Sequence, residues 1–131
     1  MAEGIARQLG QSTRRSLEVQ SAGTLGLIGH PADPKAVQAC QDLGISIQNH
    51  RSQAVTPELV AWADFVLVME TRHAIELRER FDNLENRLLL LGSYGGVMDI
   101  ADPIGGWAFQ FRSCRDLLAR CIDGFLQRLP R

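Results

Sequence analysis

The apolar positions along the chain switch repeatedly between a period of two and a period near 3.6, the signature of strands interleaved with helices. Residues 1–10 are helix-compatible, with Ile5 and Leu9 four apart and Gly10 placed to stop the turn, although nothing caps the start. Residues 17–22, Leu-Glu-Val-Gln-Ser-Ala, alternate apolar and polar and end at Gly23, which predicts a strand running into a glycine-rich loop that lasts to Gly29. Asp33 is an N-cap with Pro34 at the first helical position; Val37, Cys40 and Leu43 supply the stripe, and Gly44 closes the helix. After a short Ile45-Ser46-Ile47 piece, Thr56-Pro57-Glu58 repeats the cap-then-proline grammar for a second short helix ending near Asp64.

Residues 65–69, Phe-Val-Leu-Val-Met, make a continuous apolar run between Asp64 and Glu70, as expected of a strand buried on both faces of a parallel sheet. Helical spacing returns over 71–81 with Ile75, Leu77 and Phe81, and a second run, Leu88-Leu89-Leu90-Leu91, precedes Gly92 and a loop lasting to Gly106. Residues 107–129 form the longest predicted helix, with Phe111, Cys114, Leu118, Cys121, Phe125 and Leu129 on one face. The order predicts an open parallel α/β sheet with helices on both faces, in a single domain spanning residues 1–131. Such a fold normally begins on a strand whose carboxyl end delivers the first loop to the ligand. This sequence begins on the helix instead.

Composition narrows the function classes. With 131 residues, 45% of them hydrophobic, the chain can bury one sizeable core but not two. Lys+Arg 14 against Asp+Glu 15 gives a formal charge of -1, so no nucleic-acid partner is expected. No stretch approaches the roughly 18 apolar residues of a membrane span, and the start lacks a signal-peptide pattern, which predicts a soluble, cytoplasmic protein with no membrane partner. Cys40, Cys114 and Cys121 are an odd number without a Cys-x-x-Cys pair, so reduced thiols are expected rather than disulfides or a zinc site. His30 and His73 read as surface residues, and no metal or organic cofactor is expected.

Several segments, in order, carry a resemblance: Met1-Ala2-Glu3-Gly4-Ile5-Ala6, Ser21-Ala22-Gly23-Thr24, His50-Arg51-Ser52, residues 63–70, Leu91-Gly92-Ser93-Tyr94, and Asp99-Ile100-Ala101-Asp102-Pro103-Ile104-Gly105-Gly106. Together the chain resembles the low-molecular-weight protein tyrosine phosphatases of bacterial type over almost its whole length. The resemblance implies the phosphotyrosine phosphatase I-like fold, a phosphoprotein substrate and hydrolysis through a cysteinyl-phosphate. It also implies a strand and a phosphate-binding loop, Cys, five residues, Arg, placed before Met1. In such a loop a low-pKa thiolate attacks phosphorus while backbone N–H groups and the Arg fork hold the oxygens.

That loop is not in this sequence, so the chain as it stands is expected to be inactive and to bind oxyanions weakly or not at all. The readings open at this point are a start codon assigned too late, an inactive pseudo-phosphatase acting as a binding module, and a deliberate shortening. Cys114 to Arg120 does satisfy Cys, five residues, Arg, but it is a leucine-bearing piece of a periodic helix whose N–H groups are already bonded. Cys114 and Cys121 resemble the redox pair of arsenate reductases only superficially, because those relatives carry the extra cysteines where this chain has Met69-Glu70-Thr71-Arg72.

Asp102 is the catalytic residue the resemblance implies within the sequence, a general acid that protonates the leaving oxygen and then a base that activates water. Local sequence alone reads it as capping a turn before Pro103, and Asp99 as loop capping. Ser21 and His50 correspond to a polar pair that supports the phosphate loop. Where many relatives have an aromatic after Asp-Pro, this chain has Ile104; with Tyr94 it is expected to wall the pocket, while Trp107 and Phe109 are read as core or lid packing. That departure leaves phosphotyrosine and phosphoarginine both open as substrates. The resemblance further predicts three parallel strands with the first one absent between residues 17–22 and 65–69. The consequence expected is unpaired edges around an apolar slot, relieved by marginal stability, rearrangement or self-association.

Overall fold

Strand β1 (Val66–Val68) pairs in parallel with β2 (Leu88–Leu90), in the register Val66↔Leu88, Leu67↔Leu89 and Val68↔Leu90. The computed structural model describes residues 1–129. Side chains alternate across a strand, so this short sheet separates two cores. Leu67 and Leu89 pack into the larger one, with Ile5, Cys40 and Ile122 from α1 (Ala2–Ser12), α2 (Pro34–Gln41) and α5 (Ala108–Arg128). Val66, Val68, Leu88 and Leu90 pack into the other, with Val60 of α3 (Pro57–Trp62) and Ala74 and Leu77 of α4 (Thr71–Arg80). This is the α/β arrangement with helices on both faces that the periods predict. No described helix is long and apolar enough to cross a membrane.

The local grammar carries through into the fold. The Asp33 carboxylate accepts the Lys35 amide at 2.8 Å, and the Thr56 hydroxyl accepts the Leu59 amide at 3.1 Å, each ahead of a proline in the first turn. Along α5, Phe111, Leu118, Cys121 and Phe125 are buried, with Cys114 and Leu129 half-buried, as the spacing predicts. The helix packs against α1, α2 and a 3-10 turn, Leu91–Gly95, so it forms the spine of the larger core.

Four expectations need correction. Gly10 does not stop the first helix, which runs to Ser12; its place is set by packing, since a Cβ there would lie 2.7 Å from Leu17 Cδ1. Ile75 is 54% exposed; of the expected stripe Leu77 is buried and Phe81 half-buried, and Ala74 takes the place of Ile75 in the core. Leu91 opens the 3-10 turn rather than extending β2. Among the described residues, 17–22 form no ladder: an isolated parallel bridge, Gly23 to Ala54, follows them, and the sheet has two strands, not three.

The reason for that last difference is visible in the bonding. A strand exists only through a partner, and here helix side chains take the partner's part: Arg7 donates to the Val19 carbonyl at 2.7 Å, and Glu3 accepts the Ser21 amide at 2.8 Å. The cavity beside them, about 440 Å³, is not the apolar slot expected. Glu3, Arg7 and Glu18 line it together with Leu17, Val19 and Trp62.

Candidate active site

Two pins place the loop that carries Asp102. The Asp99 carboxylate accepts both the amide and the hydroxyl of Thr71, at 2.9 and 2.8 Å, which caps the first turn of α4. The Ile100 amide donates to the Met69 carbonyl at 2.8 Å, just past the carboxyl end of β1, and Ile100 is buried in the larger core. Asp99 is therefore a cap, but of a helix start 28 residues away in sequence rather than of its own loop.

Beyond Ile100 the chain turns on itself. Asp102 Oδ1 accepts the Ile104 amide at 3.0 Å, and the Gly106 amide donates to the Pro103 carbonyl at 2.8 Å. Gly105 supplies φ +79°, the left-handed region a side chain would resist. Asp102 thus fulfils the turn-capping reading and is at the same time exposed at the mouth of a cavity of about 240 Å³. Met1, His30, His50, Ile104 and Phe111 share that cavity with it.

Ser21 does not line the cavity; it reaches the site through Glu3. One Glu3 oxygen, Oε1, accepts from the Ser21 amide at 2.8 Å and hydroxyl at 3.2 Å, and the other, Oε2, lies 3.5 Å from His50 Nδ1 and 3.0 Å from the Arg7 guanidinium. With only 15% of its side chain exposed, Glu3 ties α1 to both polar residues. Sequence reasoning missed its role. The signal that was available is an acidic residue in the first turn of a helix that starts uncapped, where the dipole favours negative charge.

Other expected residues fall elsewhere. The Tyr94 ring packs edge-on against Phe125 at 5.3 Å and beneath the Arg128 guanidinium at 5.4 Å, so the structure does not bring it to the cavity with Ile104. Trp107 and Phe109 are 74% and 57% exposed, so neither is a core residue. His30, read as a surface residue, is exposed but borders the cavity, its amide held by the Ser52 hydroxyl at 3.0 Å.

The thiols lie in the wrong electrostatic setting for a nucleophile. Burial pushes Cys40, Cys114 and Cys121 up from the ordinary thiol range, and the partial offsets from the amino terminus and nearby arginines do not reverse it. Attack on phosphorus needs the opposite shift. Arg120, the arginine of the Cys-five-residues-Arg match, donates to the Gly95 carbonyl at 2.9 Å. Cys114 Sγ meets the Ala101 carbonyl at 3.9 Å. Among the described residues no three of His, Cys, Asp and Glu converge as a metal site would require.

The sequence model for the low molecular weight phosphotyrosine protein phosphatase matches residues 1–131. The probable low molecular weight protein-tyrosine-phosphatase EpsP of Ralstonia nicotianae is 33% identical over 129 residues, covering 98% of this chain and 86% of that protein. The protein-arginine-phosphatase of Geobacillus stearothermophilus is 34% identical over 115 residues, 86% of this chain and 77% of that one. The crystal structure of a low molecular weight protein tyrosine phosphatase from T. tengcongensis superposes with a TM-score of 0.92 at 27% identity, over 98% and 88% of the two chains. The tyrosine phosphatase Wzb of Escherichia coli K30, in complex with sulphate, does so with a TM-score of 0.89 at 26% identity, over 98% and 87%.

Proposed function

This chain belongs to the low molecular weight phosphotyrosine protein phosphatase family, and we propose that it carries the acid-base half of a phosphoprotein phosphatase site. Asp102 is the general acid and base. Glu3, Ser21 and His50 brace the amino end of α1, where a phosphate loop joined before Met1 would sit. The observation that supports this most is the shared cavity: an exposed carboxylate on a loop, Met1 at the N-cap of α1 and His50 all line one space. A helix N-terminus concentrates unbonded N–H groups and positive potential, which suits a dianion; a carboxylate opposite it suits protonation of a leaving oxygen.

In the complete reaction the thiolate of the loop cysteine attacks phosphorus, and the ester oxygen departs with the proton of Asp102. The Asp102 carboxylate then takes a proton from water as that water attacks the cysteinyl-phosphate, which returns thiolate and releases inorganic phosphate. No metal or cofactor takes part in this scheme. Ile104 is the aliphatic wall of the substrate's side chain. These 131 residues hold no other loop of the required form, and the Cys114 stretch lies within α5, so the chain by itself is inert and binds oxyanions weakly.

Phosphotyrosine proteins are the substrate this reading favours. Phosphoarginine is the second reading, supported by the aliphatic Ile104, by Phe111 as the aromatic ring in the cavity, and by the 34% identity to an arginine phosphatase. The test is an assay of two proteins side by side. The 131-residue chain should turn over neither phosphotyrosine nor phosphoarginine peptides above buffer at any pH. The same chain lengthened before Met1 by a strand and a Cys-x5-Arg loop should gain turnover, inhibited competitively by vanadate. Full activity of the unlengthened chain would overturn the proposal.

A further inference from the structure

We propose that Lys35 is a positioning residue for the Asp102 loop, a strap that ties the far end of that loop to the first turn of α2. The inference rests on the general-acid reading of Asp102 above. Its ground is how unevenly the loop is held. The near end carries two strong pins, Asp99 on Thr71 and the Ile100 amide on the Met69 carbonyl. Among the described residues, every bond donated by a backbone amide from Asp102 to Trp107 stays within the loop or the start of α5: Ile104 to Asp102, Gly106 to Pro103, and the Trp107 amide to Gln110 Oε1 at 2.6 Å. The stretch is a self-bonded unit that could swing as one piece about Ile100.

One hydrogen bond among the described residues ties that unit across the fold. Lys35 Nζ donates to the Gly106 carbonyl at 2.7 Å, spanning 71 residues of sequence. The lysine stands on a fixed post, because its own amide is held by the Asp33 carboxylate at 2.8 Å and Pro34 restricts the backbone before it. Asp33 and Ala36, on the same turn, line the Asp102 cavity. The strap therefore sets the distance between the cavity wall on α2 and the carboxylate on the loop. A charge-assisted bond from a flexible stem can hold a loop closed and still release it, which is what an acid acting first on the leaving group and then on water requires.

Hydrogen exchange on the 131-residue chain, read on the peptide covering residues 102–107, tests the strap directly. Lys35→Met should speed exchange of the Ile104, Gly106 and Trp107 amides by about 3- to 10-fold with the melting temperature unchanged, and Lys35→Arg should restore slow exchange. Unchanged exchange in Lys35→Met overturns the strap. In the lengthened, active chain, Lys35→Met should lower turnover of phosphates with poor leaving groups about tenfold while leaving good leaving groups within about twofold, with KM unchanged. Equal loss for both classes would show a merely structural lysine. Asp102→Asn in the same background separates the two claims: if it fails to discriminate leaving groups, the acid assignment has failed, and the exchange result still decides whether Lys35 holds the loop.

Discussion

The amide and the hydroxyl of Ser21 share one carboxylate oxygen of Glu3, at 2.8 and 3.2 Å, so a residue of the predicted strand is bonded to a helix rather than to another strand. The partly buried Glu3 carboxylate also receives Arg7 and faces His50. Glu3→Ala should destabilise the fold by about 1–3 kcal/mol, because it leaves the half-buried Ser21 amide without its acceptor. Ser21→Ala removes only the hydroxyl bond and should cost about 1 kcal/mol or less. Urea denaturation of the two variants checks the order; equal costs would show that the amide bond to Glu3 carries no weight.

Asp102→Asn keeps the turn, since an asparagine oxygen can still accept the Ile104 amide, but it cannot give a proton. In the lengthened chain it should lower turnover of poor leaving groups by about 10²–10⁴-fold. Thermal stability should stay within about 0.5 kcal/mol of the parent. Steady-state kinetics on aryl and alkyl phosphates would register the difference.

Asp99→Ala should act on stability instead. It removes the acceptor of both the Thr71 amide and hydroxyl, an N-terminal cap worth about 0.5–2 kcal/mol. Calorimetry on the 131-residue chain measures this. A stable Asp99→Ala protein with faster exchange in residues 99–102 would place the cap's importance in the loop rather than in α4.

The thiols predict a pH dependence whose sign follows from burial. Desolvation raises the folded-state values of Cys40 and Cys121 above those of the unfolded chain. The native state therefore holds protons that the unfolded state has lost. The associated stability is fully present below the unfolded thiol value of about 8.5 and is lost as pH rises beyond it. Melting temperature should fall from about pH 8.5 upward, and Cys40→Ala should flatten that slope. A slope unchanged by Cys40→Ala and by Cys121→Ala would assign it to other groups.

Residues 17–22 and the outer edge of β1 lack ladder partners within the described residues, and we expect the chain to self-associate through them. Sedimentation should show a concentration-dependent mass, reduced by the lengthened amino end. A dilute monomer with a sharp, cooperative transition at a midpoint ordinary for mesophile domains would count against this. Such behaviour would mean that Arg7 and Glu3 satisfy the edge well enough alone.

What the sequence determined by itself is local. Asp33-Pro34 and Thr56-Pro57 name their helix starts because capping needs only neighbours within three residues. The 65–69 run and the α5 stripe name their elements because burial of a face is written in the period. Asp102 could be singled out by resemblance, and its turn could be read from Asp-Pro and the two glycines that follow. What only the tertiary structure decided depends on partners far apart in the chain. Alternation at 17–22 states which faces a strand would have, but a ladder needs a second strand, and without one the bonds of Val19 and Ser21 went to Arg7 and Glu3. Tyr94 reads as aromatic anywhere; in the fold it packs against Phe125 and Arg128 rather than at the cavity. The Lys35 to Gly106 bond, like the Glu3 hub, joins side chains to groups that no sequence window contains, since hydrogen bonds are fixed by position in space and carry no period along the chain.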